Sequence, residues 1–288
     1  MYDLVSLVKR HTLAFLRDKA AVFFSFLSVI ILLALYFLFI GRQYTSDLPD
    51  VVSEGTKIFL SVSVIMGGVL VINTVSLALG VMGNIITDLQ FKKLDAFLVT
   101  PIKRYKIILS YYMTSIMVTS VLTLSMWILT VLYVGVVGGH WYSLLTIMQV
   151  SGLIVFFTFI SASLMIFLTT ILKSVNAFGA LSGVLGTLIG FMSGIYMPLF
   201  VLGKSMAYVA SVIPFTHMTI LLKQVLLKEP YALLPDAVAQ NISLFYGTNE
   251  IGVFGQTVAM IWLMLGSLSI SMLLLFLAYR NMSKKMAK

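Results

Sequence analysis

Cysteine is absent from the 288 residues, and charge is scarce: Asp, Glu, Lys and Arg together make up 10% of the chain. The first absence excludes disulfides, a thiol nucleophile and thiolate metal sites. The second sets the chain apart from soluble domains, where about 25% of residues are charged. Histidine is rare as well. His11, His140 and His217 lie far apart, and no H-E-x-x-H or paired-carboxylate pattern falls in an apolar run. Little in the sequence supports enzyme chemistry.

What fills the chain is hydrocarbon, with 60% hydrophobic residues and a mean hydropathy of +1.06. A membrane span needs about 20 apolar residues, and six runs qualify: roughly 20–40, 58–83, 107–134, 143–172, 177–200 and 256–279. The first follows Lys9, Arg10, Arg17 and Lys19, as a signal peptide would. It is longer than an h-region of about 7–15 residues and runs into Gly41-Arg42-Gln43-Tyr44, not a small-residue cleavage site. It reads as a retained span. The fold class expected is therefore all-α integral membrane, a single transmembrane domain over 1–288.

The net charge of +9 would suggest nucleic acid in a soluble protein. Here the basic residues flank spans and set topology. With the N-terminus in the cytoplasm, 14 of the 19 Lys and Arg fall inside and 5 outside. That bias predicts both termini in the cytoplasm. Residues 2–19 then read as a helix on the inner membrane surface, with Leu4, Leu7, Val8, Leu13, Phe15 and Leu16 as its apolar side against lipid, or as an extension of the first span into the cytoplasm. The segment 201–255 is an outer region too apolar for a free loop. "SMAYVASVIPFTHMTILLKQVLLKEP" (205–230) is broken by Pro214 and reads as re-entrant or interfacial helices buried in protein. His217 there reads as an interfacial histidine, not a ligand. "PLFVLGKS" (198–205) ends like a phosphate loop, but Pro198 replaces the first glycine and no strand precedes it.

The central parts of the spans hold no ionisable residue, which weighs against proton-driven transport or voltage sensing. Two stripes do stand out. Gly179, Gly183, Gly186, Gly190 and Gly194 share one face of the fifth span. Such faces let backbones approach closely in lipid, either within one subunit or at a moving or dimer-forming surface. On the second span, Asn73, Ser76, Gly80 and Gly83 form another stripe. Asn73 and Ser76 there either face a neighbouring helix or line a substrate path.

Between the second and third spans stands "TDLQFKKLDAFLVTPIKRYK" (87–106), which holds five of the basic residues. Thr87 as N-cap with Gln90 at N3 makes a capping box, and Asp88 suits the first turn. Phe91, Leu94 and Leu98 share a face, with Phe97 alongside, and Asp95 points elsewhere. Thr100-Pro101 disfavours continuation. The expectation is one amphipathic helix over 87–99. It would rest on headgroups or sit in a groove of a cytoplasmic partner.

"KKLDAFLVTPIKRYKIILSYY" resembles a segment of type-2 ABC exporter permeases that reads roughly G-T-L-E-x-L-L-x-T-P before a basic residue and a span. Leu94, Asp95, Phe97, Leu98, Thr100 and Pro101 match, and Asp88 stands at the acid that opens that helix. "MSGIYMPLFVLGKSMAYVASVIPFTHMTILLKQVLL" (192–227) is similar to the family's S-G-x-x-x-P and following L-P pattern at Gly194, Pro198, Pro214 and Thr216. Residues 2–28 with "LRDKAAVFFSF" resemble its first helices. Lys92 and Lys93 depart from the usual Gly-Thr, His217 from an aromatic, and Lys223 from an arginine.

The resemblance implies a half-transporter in a plasma membrane, of bacterial type. A second permease subunit, in a homodimer, and two copies of a cytoplasmic ATPase that binds ATP and magnesium would complete it. This chain itself would hold no cofactor. Residues 87–99 would be the coupling helix, with Asp88, Phe91, Leu94, Asp95 and Leu98 at the ATPase. The outer helices, with Pro198, Pro214 and His217, would form a gate. A drug, antibiotic, lipid or glycolipid would be moved outward, in contact with membrane lipid and no nucleic acid. A stand-alone secondary transporter or channel is the alternative.

Overall fold

The computed structural model describes residues 2–20, 52–98, 100–172, 174–192, 203–235 and 258–285, with scattered positions in 22–30 and 238–253. The span expected at 20–40 lies almost wholly outside the described residues, as do Gly194 and Pro198. Among the described residues nine helices follow one another. They are α1 (Tyr2–Arg17), α2 (Glu54–Gln90), α3 (Asp95–Leu98), α4 (Arg104–Val137), α5 (Leu144–Ile171), α6 (Val175–Met192), α7 (Gly203–Val212), α8 (Pro214–Ala232) and α9 (Met260–Lys285). Five of them, α2, α4, α5, α6 and α9, are long and apolar enough to cross a membrane.

Helices α2 and α4 run longer than their apolar runs predict. Helix α2 has 37 residues, about 55 Å at 1.5 Å per residue, against a hydrocarbon core of about 30 Å. It starts early because Ser53 Oγ accepts the Thr56 N–H at 3.2 Å, an N-cap that satisfies one orphan donor. Ser143 caps α5 in the same way through Thr146 N–H.

Helix α2 is the axle of the subunit. It packs against α4, α5, α6 and α8, and the buried set runs along nearly its whole length. Helix α1 lies against α4 through Leu7, His11 and Phe15, spaced i, i+4, i+8 on one face. Of the residues expected against lipid, Leu13 and Leu16 are on its exposed side, whereas Leu7 and Phe15 are buried against the protein because α4 covers that face. Hydroxyl pairs stitch the apolar interior. Ser63 pairs with Tyr142 at 2.7 Å, Thr74 with Ser161 at 3.0 Å, Tyr112 with Ser163 at 2.8 Å, and Asn73 Nδ2 donates to Thr123 Oγ1 at 3.2 Å. Each is worth only about 0.6 kcal/mol between membrane helices. Their value is register, since an unpaired hydroxyl in hydrocarbon has no water to turn to.

The contacts sort the helix ends into two sets. At one end Lys106 pairs with Asp3, Arg104 donates to the Ser283 carbonyl, Asn281 donates to Thr170, and Gln90 meets Val175. At the other end Thr56 meets His140, and Ser143 meets Glu229. The described spans therefore alternate in direction. The first set is the basic end.

Candidate functional site

The basic end does not contain the single helix expected over 87–99. Helix α2 continues through Thr87, whose hydroxyl donates back to the Gly83 carbonyl at 3.1 Å and caps nothing. The helix stops at Gln90, with Phe91 as its C-cap. Lys92 then takes a φ of +53°, a left-handed conformation unusual for a residue with a side chain. Lys93 N–H closes the turn on the Asp88 carbonyl at 2.9 Å. A four-residue helix, α3, follows, and Thr100 closes it by donating both N–H and hydroxyl to the Phe97 carbonyl. The reason for the correction is tertiary. Ile85, Ile86 and Asp88 are buried, so the last turns of α2 gain contacts that a break at Thr87 would forfeit. Gln90, expected to close a capping box, instead accepts the Val175 N–H at 2.9 Å and caps α6.

The apolar face expected of Phe91, Leu94 and Leu98 is not formed either. Leu94 is 3% exposed, inside the main core, whereas Phe91 is 63% exposed. The intervening turn sends the two opposite ways. The side chains of Asp95 and Leu98 lie outside the described residues.

Asp88 is the centre of what the basic end does build. Its carboxylate accepts the Tyr111 hydroxyl at 2.6 Å and has Arg10 at 3.7 Å and Lys93 at 3.9 Å. Both basic side chains are about half exposed, so these ion pairs are weak. The hydrogen bond is buried and carries the geometry. His11 stacks on Tyr111, with ring centroids 3.8 Å apart. The Arg10 guanidinium sits 4.8 Å over the Phe97 ring. One carboxylate thus gathers α1, α2, the loop and α4. Burial, with a lesser contribution from Arg10, pulls His11 down to about 4, so it stays neutral near pH 7. Asp3, beside Lys106, is held below the ordinary carboxylate range. The sequence pointed to Asp88 but not to Arg10, His11 or Tyr111, which are brought there by helices distant in the chain.

Asn73 is wholly buried, between α2 and α4, and Ser76 is half-buried. Their stripe does not face one neighbour: a Cβ on Gly83 would lie 3.1 Å from the Phe178 ring of α6, while Asn73 turns to α4. On α6 a Cβ at Gly179, Gly183 or Gly186 would meet no atom of the described residues within 4 Å. Gly190 alone among the described members of that stripe is buried.

At the opposite end Pro214 opens α8 at its first turn, where a missing N–H costs nothing. Thr216 donates to the Met192 carbonyl at 2.8 Å, and buried His217 places Nε2 2.7 Å from the Ser211 carbonyl. These two residues fasten α8 to the end of α6 and to α7. Two contacts on α8 had no signal in the sequence. Lys223 is buried against Gly67 of α2 and donates to the Tyr246 carbonyl at 3.1 Å. Glu229 accepts from Ser143 N–H, from Ser143 Oγ at 2.6 Å and from Thr146 Oγ1, which places a carboxylate at the N-terminus of α5.

A bundle of apolar antiparallel spans, with a short helix on a folded loop at its basic end, is the frame of a multi-pass membrane domain. The sequence model of the ABC-2 type transporter family matches residues 2–227. The match covers most of the chain, and the chain belongs to that family. No curated protein matches it. It is accordingly a permease subunit of an ABC transporter, a multi-pass membrane subunit distinct from the ATPase with which such permeases associate.

Proposed function

We propose that this chain is the export permease of an ATP-driven pump, working as a pair of identical subunits with two cytoplasmic ATPase subunits. The observation that supports it best is Phe91. A large apolar side chain stands 63% exposed on a loop whose neighbours are lashed into the bundle through Asp88, Leu94 and Phe97. An aromatic ring on a rigid mount suits a groove in a soluble partner. Movement of that partner on ATP binding would reach α1, α2 and α4 together, because Asp88 joins them.

In this reading the basic end faces the cytoplasm, and α7 and α8, with Pro214 and His217, form the outer gate. The open glycines of α6 meet the second permease. The substrate is a hydrophobic or amphiphilic compound, which the apolar spans favour. Asn73 serves packing in the described conformation, and Ser76 is the more accessible polar contact.

The test is Phe91→Asp in the full complex. The ATPase should no longer co-purify, while the permease still inserts and keeps its thermal stability. Undiminished co-purification would defeat the docking assignment. Orientation is checked separately in the cysteine-free chain. An impermeant thiol reagent on intact cells should label Ser205→Cys and spare Lys284→Cys.

A further inference from the structure

Two of the described Asp, Glu, Lys and Arg residues are buried, and they keep different company. Asp88 has the Tyr111 hydroxyl, Arg10 and Lys93 around its carboxylate. Lys223, 5% exposed, donates to the neutral Tyr246 carbonyl at 3.1 Å. Among the described residues no carboxylate pairs with it. An ammonium carries three donors, so one neutral acceptor answers it poorly. The acids at this end of the bundle are engaged elsewhere. Glu229 is taken by Ser143 and Thr146 at the head of α5, and Glu54 pairs with Lys57.

The depth of the lysine matters. Its stem lies across Gly67, near the middle of the apolar run 58–83. The spans bring no full charge to that level, and α8 does. A cation buried so deep is costly. A methionine would cover Gly67 equally well without the charge. In membrane proteins a buried ionisable group of this kind marks the route of a substrate or an ion.

The partner it does have belongs to a separate unit. Leu234 and Tyr246 pack on Leu60, Val64 and Leu227 in a small apolar cluster apart from the main core. The Tyr246 carbonyl can therefore leave the ammonium while the main core stays closed.

We propose that Lys223 is the head-group site for the transported compound, an amphiphile with an anionic head whose phosphate, sulfate or carboxylate takes the place of the Tyr246 carbonyl on the ammonium. The sign of the site selects the class. A cationic head is repelled there, and a purely apolar compound gains nothing from a charge. The assignment rests on the proposed reading of the chain as an export permease with α8 at its outer gate.

The test uses the permease–ATPase complex in phosphatidylcholine nanodiscs and a hexadecyl phosphate that carries a photoreactive diazirine beside its head. With a non-hydrolysable ATP analogue and magnesium, light should attach this probe to peptides around Gly67 and Lys223. Plain hexadecyl phosphate should compete at no more than about one-tenth the concentration that hexadecyltrimethylammonium needs. Inorganic phosphate, which lacks the tail, should not compete. Lys223→Met should lose the labelling and raise the thermal midpoint, since a stem still covers Gly67 and the poorly answered charge is gone. Equal competition by the two head groups overturns the proposal, as does labelling that persists in Lys223→Met. Inorganic phosphate competing as strongly as hexadecyl phosphate overturns the assignment to the transported amphiphile. If Lys223→Met does not accumulate, the wild-type competition series decides alone. Labelling as expected, with no stimulation of ATP hydrolysis by hexadecyl phosphate, separates failure of the ATPase-driven reading from failure of the site.

Discussion

Helices α2 and α6 are both apolar and both glycine-bearing, but they keep opposite company. In α2 the most apolar stretch is 89% buried by the chain's own helices; in α6 it is 17% buried. A glycine means different things in the two. Gly67 of α2 exists so that Lys223 can lie across it: a Cβ there would sit 2.5 Å from Lys223 Cγ and 3.2 Å from its backbone nitrogen. Gly179, Gly183 and Gly186 of α6 make room for none of the described residues of the same subunit. Small-residue spacing alone does not say whether a membrane helix is already packed or still waiting for a neighbour.

The sharpest way to break this comparison is to fill one glycine on each helix. Gly67→Leu should displace α8 from α2 and cost more than about 3 kcal/mol, since backbone as well as side chain must move. Loss of purified yield and a large drop in the thermal midpoint in detergent would register it. Gly183→Leu should leave the midpoint of the isolated subunit within the range of ordinary surface changes, about 0.5 kcal/mol. Its effect should fall on pairing of permease copies, read by cross-linking in membranes. A fold as sensitive at Gly183 as at Gly67 would erase the distinction.

A second contrast is ionic. His11 is buried and its folded-state value, about 4, lies below the ordinary 6.5. A depressed value on a base means that the unfolded chain binds the proton more tightly. The stability His11 contributes is therefore complete above about pH 6.5 and is lost as the pH falls toward 4, a loss of about 3 kcal/mol at most. His11→Phe, which keeps the stacking partner of Tyr111, should flatten the acid side of the stability profile between those limits. A profile that keeps its slope in that variant would move the cause elsewhere.

Smaller effects are expected where α2 is held by neutral hydrogen bonds. Asn73→Leu removes one bond and two buried polar atoms together, so it should change stability by about 1 kcal/mol or less. Lys92→Gly is the gentlest probe. It relieves a left-handed residue worth roughly 1 kcal/mol of strain but frees the unfolded chain, so the midpoint should move little.

Much of the frame was legible because hydrophobic run length is a strong signal: among the described residues five helices are long and apolar enough to cross a membrane, and each overlaps an expected run, the fifth only as far as Met192. The limits of those helices were less legible. Thr87-x-x-Gln90 is a sound capping box in isolation, but Gln90 found a donor at Val175 and Thr87 found a carbonyl at Gly83. Local chemistry gave way to partners supplied from far along the chain. Phe91 and Leu94 show the same failure from the other side. Their helical spacing put them on one face, and a single left-handed residue between them turned one inward and one outward. Asp88 could be singled out by its place beside the family motif. Tyr111, Arg10 and Glu229 could not, since nothing in their own neighbourhoods marks them.

The hydrogen bond between the Gln90 side chain and the Val175 backbone, 85 positions apart, has a further consequence. Together with the chain itself it closes a circuit: down α2, through the loop, up α4, down α5 and back across to the head of α6. Within a closed circuit no side can change length alone. Any tilt of α6 at that corner must be answered by α2, and any travel of α2 along its axis pulls on the first turn of α6. A helix with few described neighbours is thus geared to the one with the most. A disturbance met at its glycines is felt at the axle through one amide side chain as well as through the Gly83–Phe178 contact.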